Sequence, residues 1–277
     1  MVLGITAQAL PAHAIETAAA EYLAVRVAAV RGLPGNPYRA ELRTHGKLLG
    51  FLVGKTSSPM MNRICGEARS APDALADLVN WFEGRQCVPA VSLIVRKGRT
   101  APVETIGSLH FRRLNGWTHL HLAAPVAELT VRQSTLEVEE VTADTIDSFA
   151  AIHAEAFRTE AERQPINRAS FAGLIGNEHA KGFLVRLDGK PAAGAIVYFA
   201  SNGVAYLGTS ATRRAARGRG CHSALIGHRI MAARQHGSRF VAATAMPKSQ
   251  SRRNLERLGL VASHLQALYR PQPGQQA

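Results

Sequence analysis

The sequence predicts a mixed α/β fold built as two tandem domains, and three observations carry that expectation. The 277-residue chain exceeds the usual size of one domain. Helix, hairpin, strand, helix and strand recur in the same order in both halves. A strand from Val204 to Ser210 runs into an arginine- and glycine-bearing loop that opens a helix.

The first half opens on an alanine-rich helix, Ala12 to Arg31, with Ile15, Ala18, Tyr22 and Val25 at helical spacing. Gly32 ends it before a turn-rich run through Pro37. Tyr38 to Arg43 and Leu48 to Val53 read as a hairpin around His45–Gly46–Lys47, and Asn62 to Gly66 as a further strand. Asp73 to Phe82 is helical, with Leu75, Leu78, Val79 and Phe82 on one face. Val88 to Val95 is a buried strand by its β-branched run, and 109–123 closes this half. The boundary falls in the polar stretch 126–137, which gives domains at 1–129 and 130–271 and an unstructured tail at 272–277.

The second half begins with a strand at 136–141, followed by a helix capped at Thr142 or Asp144 that runs to about Phe157. Phe183 to Leu187 and Ala192 to Phe199 pair around Asp188–Gly189, a dipeptide suited to a tight hairpin. A helix from Ser223 to Gln235 presents Leu225, Ile226, Ile230 and Ala233. Phe240 to Ala245 is a strand, Ser249 to Leu258 a helix and Leu260 to Tyr269 a strand. The segment 109–125 echoes 258–271, each following a helix and ending in a strand and a proline.

A hydrophobic content of 46% and a charged content of 19% are globular values. No apolar run approaches the ~20 residues of a membrane span. The N-terminal MVLGITAQAL lacks the basic flank and apolar region of a signal peptide. Cys65, Cys87 and Cys221 are sparse and show no metal-ligand spacing. That usage points to a reducing compartment, by default the cytoplasm, without disulfides or bound metal. A formal charge of +13 can attract nucleic acid, an anionic membrane or a polyanionic small molecule. No RNA-binding aromatic motif, zinc finger or basic zipper accompanies it.

The segment Arg217–Gly–Arg–Gly–Cys–His–Ser223 carries the chemistry. Unpaired N–H groups at a helix start form an anion site, reinforced by the positive end of the helix dipole. Gly218 and Gly220 let the backbone approach phosphate oxygens, and Arg217 and Arg219 can add forked, charge-assisted hydrogen bonds. A basic loop that touches nothing is the plain alternative, since so short a motif recurs by chance.

In this context the sequence resembles the GNAT superfamily of N-acetyltransferases. Its signature, R/Q-x-x-G-x-G/A between the fourth strand and third helix, falls on Arg217, Gly220 and His222, with His222 standing where glycine or alanine is usual. Residues 251–260 resemble the family's fourth helix and following strand, and Asn254 matches the residue that often contacts the pantetheine arm. The resemblance covers about 136–271. The first half resembles a degenerate copy, with Arg63 and Gly66 the only trace of the loop.

The resemblance implies two GNAT-like domains, each a mostly antiparallel central sheet flanked by helices. It also implies an acetyl group moved from acetyl-CoA to a small-molecule or peptide amine by direct attack in a ternary complex. The phosphates of CoA would use part of the positive charge. Ser210, Ala211, Thr212, Arg217, Gly218, Arg219, Gly220, Cys221, His222, Ser223 and Asn254 become the expected acetyl-CoA contacts. Backbone groups at Ser210 to Thr212 would polarise the thioester carbonyl.

The proton carriers are less legible. The family's usual helix-four tyrosine falls on Leu255, and the strand 204–210 contains no carboxylate. Tyr206, Ser251 and Tyr269 are substitute hydroxyls; Glu155, His153, Glu160 and Glu162 are candidate bases acting through water. Cys221, at a helix start beside arginines, has the setting of a lowered thiol pKa, but no histidine–carboxylate pair is placed to activate it. His119 and His121 share a strand face without a recognisable third metal ligand. The departures at Leu255 and in strand four leave a catalytically weak acyl-CoA sensor or interaction module as a second reading. The charge leaves action on an RNA-linked amine as a third.

Overall fold

The computed structural model describes residues 10–96, 102–131 and 134–272. The first half contains α1 (Ala12–Arg31), β1 (Ala40–His45), β2 (Leu48–Val53), β3 (Arg63–Gly66), α2 (Pro72–Glu83), β4 (Ala90–Ile94), β5 (Val103–Ile106) and β6 (Leu109–Pro125). The second contains β7 (Val138–Glu140), α3 (Ile146–Phe157), α4 (Gln164–Ala172), β8 (Ala180–Leu187), β9 (Lys190–Phe199) and β10 (Val204–Thr212). It continues with α5 (Cys221–Gln235), β11 (Phe240–Ala245), α6 (Gln250–Arg257) and β12 (Val261–Pro271).

Local chemistry explains the boundaries. α1 stops where the Gly32 N–H closes on the Ala28 carbonyl at 2.9 Å. Asp188 and Gly189 adopt φ of 52° and 73°, the doubly left-handed geometry of a two-residue hairpin, and set the register Leu187↔Lys190. Ser249 caps α6, its side chain accepting from the Arg252 N–H at 3.2 Å. Two elements have no counterpart in the sequence reading. α4 begins with Pro165 in its first turn, right after the polar stretch 158–163, and β5 is only four residues long. The expected tail falls mostly outside the described residues, but Pro271 still pairs with Phe111, and the Gln272 N–H donates to the His110 carbonyl at 2.8 Å.

Among the described residues all the strands belong to one sheet, ordered β1-β2-β3-β4-β12-β6-β11-β10-β9-β8-β7, with β5 paired to β6 off this path. Two neighbours run parallel, β3 with β4 and β10 with β11; the other pairs are antiparallel. β6 and β12, the two strands whose sequences echo one another, lie side by side and are exchanged. β6 pairs with β11 of the second half, and β12 pairs with β4 of the first. Each half of the sheet is therefore completed by the other's last strand.

α1 belongs to both halves. Leu23, Val27 and Val30 pack on β1–β3 with Phe51 and Val53. Ile15, Ala18 and Tyr22 pack with α3, α4 and the strands β9 and β10, against Phe149, Phe171, Tyr198 and Tyr206. A helix rich in alanine has no single apolar stripe, so it can be buried on two sides. α5 covers the opposite face through Leu225, Ile226 and Ile230.

Candidate active site

β10 and β11 pair only from Val204↔Phe240 to Leu207↔Ala243, and the register of β10 on β9 shifts between Leu207 and Ser210. Beyond that bulge the two parallel strands part. The gap opens into a cleft of about 770 Å³. Its walls are Ser210 to Thr212, the loop Arg217 to Ser223 without Arg219, and Ser249, Gln250, Ser251, Asn254 and Arg257 from α6.

At the cleft floor α5 begins on Gly220, which has φ 82° and supplies no side-chain cap. The first turn of α5 contains no acidic residue, so its N–H groups are left for an anion. Ser210 Oγ is buried without a hydrogen-bond partner, an orphaned polar atom at the same cleft. Arg219 does not line the cleft; its guanidinium reaches Asp188 at 3.3 Å. Cys221 is buried, and burial pushes its thiol up, against the lowered pKa that its helix-start position suggests. Burial also pushes the His222 imidazole down to about 4, so it is neutral near pH 7, and its Nδ1 lies 2.9 Å from Asn254 Nδ2. His222 is thus held aside by the residue expected to meet the pantetheine arm.

Tyr22 of α1 reaches the bulge from the other face. Its hydroxyl donates to Thr209 Oγ1 at 2.9 Å and accepts from the Thr209 N–H at 3.2 Å. Gly208 is what admits the ring, because a Cβ there would sit 2.6 Å from Tyr22 Cζ. Gly208→Ala should therefore displace Tyr22 and lower the unfolding free energy by about 2 kcal/mol through overpacking. Chemical denaturation checks this; an unchanged unfolding free energy would mean that the ring moves aside at no cost.

A polar row continues across the same face. Tyr206 is buried, its hydroxyl 2.8 Å from Thr244 Oγ1, and burial pushes its pKa to about 12. His121 pairs across the sheet with Thr244 and His264. The rings of His121 and His264 stack at 4.5 Å. Glu16 of α1 meets His264 Nε2 at 2.6 Å and accepts from Gln266 Nε2 at 2.5 Å. Burial alone would raise the Glu16 pKa, but the hydrogen bond with His264 and the nearby imidazoles hold it below the usual range. Burial drives His121 down to about 4; it lies 3.4 Å from Glu16 yet outside hydrogen-bonding geometry.

The first half has an equivalent gap, where a cavity of about 600 Å³ is lined by 65–70, by 92–94 and by Glu16 of α1. β3 and β4 pair only at Arg63↔Ala90 and Ile64↔Val91. There Arg69 donates to the Ile94 carbonyl at 2.8 Å and pairs with Glu104 at 3.1 Å. After Gly66, the described segment 67–71 that leads into α2 contains no glycine.

The sequence candidates divide by place. Ser251 lines the cleft. Glu155 is ion-paired with Arg213 and accepts from the Arg214 N–H at 3.3 Å. His153 lies in a different cavity, and Glu160 pairs with Arg163 at 2.9 Å. Tyr269 is not brought to the cleft: β12 crosses into the first half, and the ring sits in the core under α2 with Leu75 and Phe82. Sequence reasoning missed Tyr22, Glu16 and His264. Tyr22 stands 187 positions from its partner Thr209, and no spacing signals such a contact.

Residues 145–260 match the family model described as acetyltransferase (GNAT) family, a span from the start of α3 past the end of α6. No curated protein matches the sequence. Among solved structures the chain is similar to a GCN5-related N-acetyltransferase from Kribbella flavida, at 17% identity and TM-score 0.64, covering 97% of this chain and 98% of that one. A tandem GNAT protein from the clavulanic acid biosynthesis pathway is similar at 13% identity and TM-score 0.59, covering 96% and 98%. A GCN5-related N-acetyltransferase from Sphaerobacter thermophilus is similar at 15% identity and TM-score 0.52, covering 95% of each chain. These likenesses extend over both halves, whereas the family model covers the half with the Arg217–Ser223 loop. Residues 145–260 thus carry the GNAT acetyltransferase match, and the chain as a whole has the fold of these GCN5-related and tandem GNAT structures.

Proposed function

We propose that the protein transfers an acetyl group from acetyl-CoA to a primary amine by direct attack in a ternary complex. The observation that carries this reading is the uncapped start of α5, opening into the cleft where β10 and β11 part. The residues present suit the donor. Gly218, Gly220 and the first N–H groups of α5 would hold the pyrophosphate, with Arg217 beside them. Ser210 Oγ and Asn254 would face the pantetheine arm. The bound thioester supplies an activated acyl carbon. N–H groups of Gly208 to Thr212 that face the departed β11 would polarise its carbonyl, and Tyr22 fixes the bulge that aims them.

The attacking amine must shed a proton on the α1 face. We assign its acceptance to the ionised Glu16 and its partner His264. Tyr206 keeps its proton at neutral pH, so it can donate but not serve as base. Ser251 on the cleft wall and the ion-paired Glu155 remain candidates.

Titration calorimetry with CoA and acetyl-CoA, followed by thiol release with a panel of primary amines, tests the proposal. Saturable binding and amine-dependent thiol release are expected. Absence of CoA binding would overturn it. Tight binding without turnover would favour the catalytically weak acyl-CoA-binding module, a reading supported by Leu255, which is 2% exposed and has no proton to give.

A further inference from the structure

A second cavity of about 350 Å³ lies beside the reaction centre, and Phe157 lines both it and the donor cleft. Arg26 of α1 forms part of its wall and is only 5% exposed. Among the described residues no carboxylate pairs with Arg26. Its Nε and one terminal nitrogen both donate to Ser170 Oγ, at 3.3 and 3.0 Å, and its guanidinium lies 4.6 Å from the Phe171 ring centroid.

Two further polar atoms of the wall, Arg163 Nε and His153 Nδ1, are buried without a hydrogen-bond partner. No aspartate or glutamate lines this cavity. A buried guanidinium without a counter-ion is costly, and a hydroxyl and two ring faces do not neutralise it. Two nitrogens without partners, beside a guanidinium without a counter-ion, describe a place for an oxyanion in this cavity.

The cavity's position assigns that oxyanion to the acceptor. Arg26 follows Tyr22 by one turn of α1, roughly 5.4 Å along the helix, and the Tyr22 hydroxyl stands on Thr209 at the bulge. We infer that the acceptor is a primary amine that also carries a carboxylate or phosphate a few bonds away, held by Arg26 with Arg163 and His153. This rests on the acetyl-transfer reading and goes beyond it by naming the class of acceptor. The charge also suits the lining: Trp117, Phe157 and the methionines around it can take the apolar part of such a molecule.

Thiol release from acetyl-CoA is measured with three sets of acceptors. One carries a carboxylate (glycine, β-alanine, phenylalanine), one a phosphate (O-phosphoethanolamine), and one is neutral and matched (ethanolamine, phenethylamine, phenylalaninamide). At least one oxyanion-bearing amine should exceed its neutral match by about 10-fold or more in kcat/KM, and the preferred set tells carboxylate from phosphate. Arg26→Gln should raise KM for that amine and shrink the ratio toward one, while calorimetric CoA affinity stays as in wild type. Arg26→Lys, which keeps the charge but loses the fork, should fall between the two and guards against a folding defect in the glutamine variant.

Where no amine of the panel turns over, the same compounds are tested for raising the melting temperature of the CoA complex, with oxyanion-bearing members expected to stabilise it over their matches. Equal or better performance of the neutral amines, or a preference untouched by both Arg26 variants, overturns the inference. Equal stabilisation by both members of each matched pair overturns it as well. Failure to bind CoA, by contrast, would strike the acetyl-transfer reading itself.

Discussion

Gly220→Glu should weaken CoA binding by about 100-fold or more in calorimetry, the sum of a displaced loop and a like charge in an anion site. Two effects combine. At φ 82° a residue with a Cβ is strained by roughly 1–2 kcal/mol. The new carboxylate would also occupy the N–H groups of α5 and repel the pyrophosphate. The fold should survive, because the added Cβ meets only Leu136 Cδ1, at 3.8 Å. Gly220→Ala separates the terms by imposing the strain without the charge, and should lose far less. Wild-type affinity in Gly220→Glu would mean that α5 does not cradle the pyrophosphate.

Acid should destabilise the protein well above the carboxylate range. His119, His121 and His222 are driven to about 4 and His153 to about 3, in each case chiefly by burial, from an ordinary 6.5. These folded-state values lie below those of the unfolded chain, so unfolding takes up protons below pH 6.5. Their contribution is complete above that pH and is lost progressively toward pH 4. Each unit of pH below 6.5 removes up to about 1.4 kcal/mol per fully buried imidazole. His121, almost wholly enclosed, should come nearest that figure, and the more accessible rings less. The depressed Glu16 adds a loss of the same sign below its ordinary range. Urea unfolding at pH 7.5 and pH 5.0 should therefore differ by several kcal/mol. Equal unfolding free energies at the two values would mean that these imidazoles open to solvent in the native state.

Much of the chain's local structure was legible from residue order. The limits of α1 and β11 follow from helical periodicity and from a bounded apolar run, and Asp188–Gly189 specifies its hairpin by its own φ preferences. The loop from Arg217 to Ser223 could be read as an anion site because everything it needs is contiguous: a strand, two glycines and a helix start. The echo between 109–125 and 258–271 was also visible, but not that these strands would trade places. Pairing energies for two similar strands are nearly alike in either sheet, so the exchange depends on which neighbours the folded halves present.

The sequence by itself determined a tandem α/β chain with an arginine–glycine loop at a helix start in its second half. Only the tertiary structure decided which side chains gather on the α1 face of the sheet. Tyr22, Glu16 and Arg26 come from a helix that reads as ordinary alanine-rich packing, and they reach Thr209, His264 and Ser170 across 144 to 248 positions of chain. Such contacts arise from burying one helix against both halves of a single sheet, a global energy that leaves no spacing pattern in the residues it brings together.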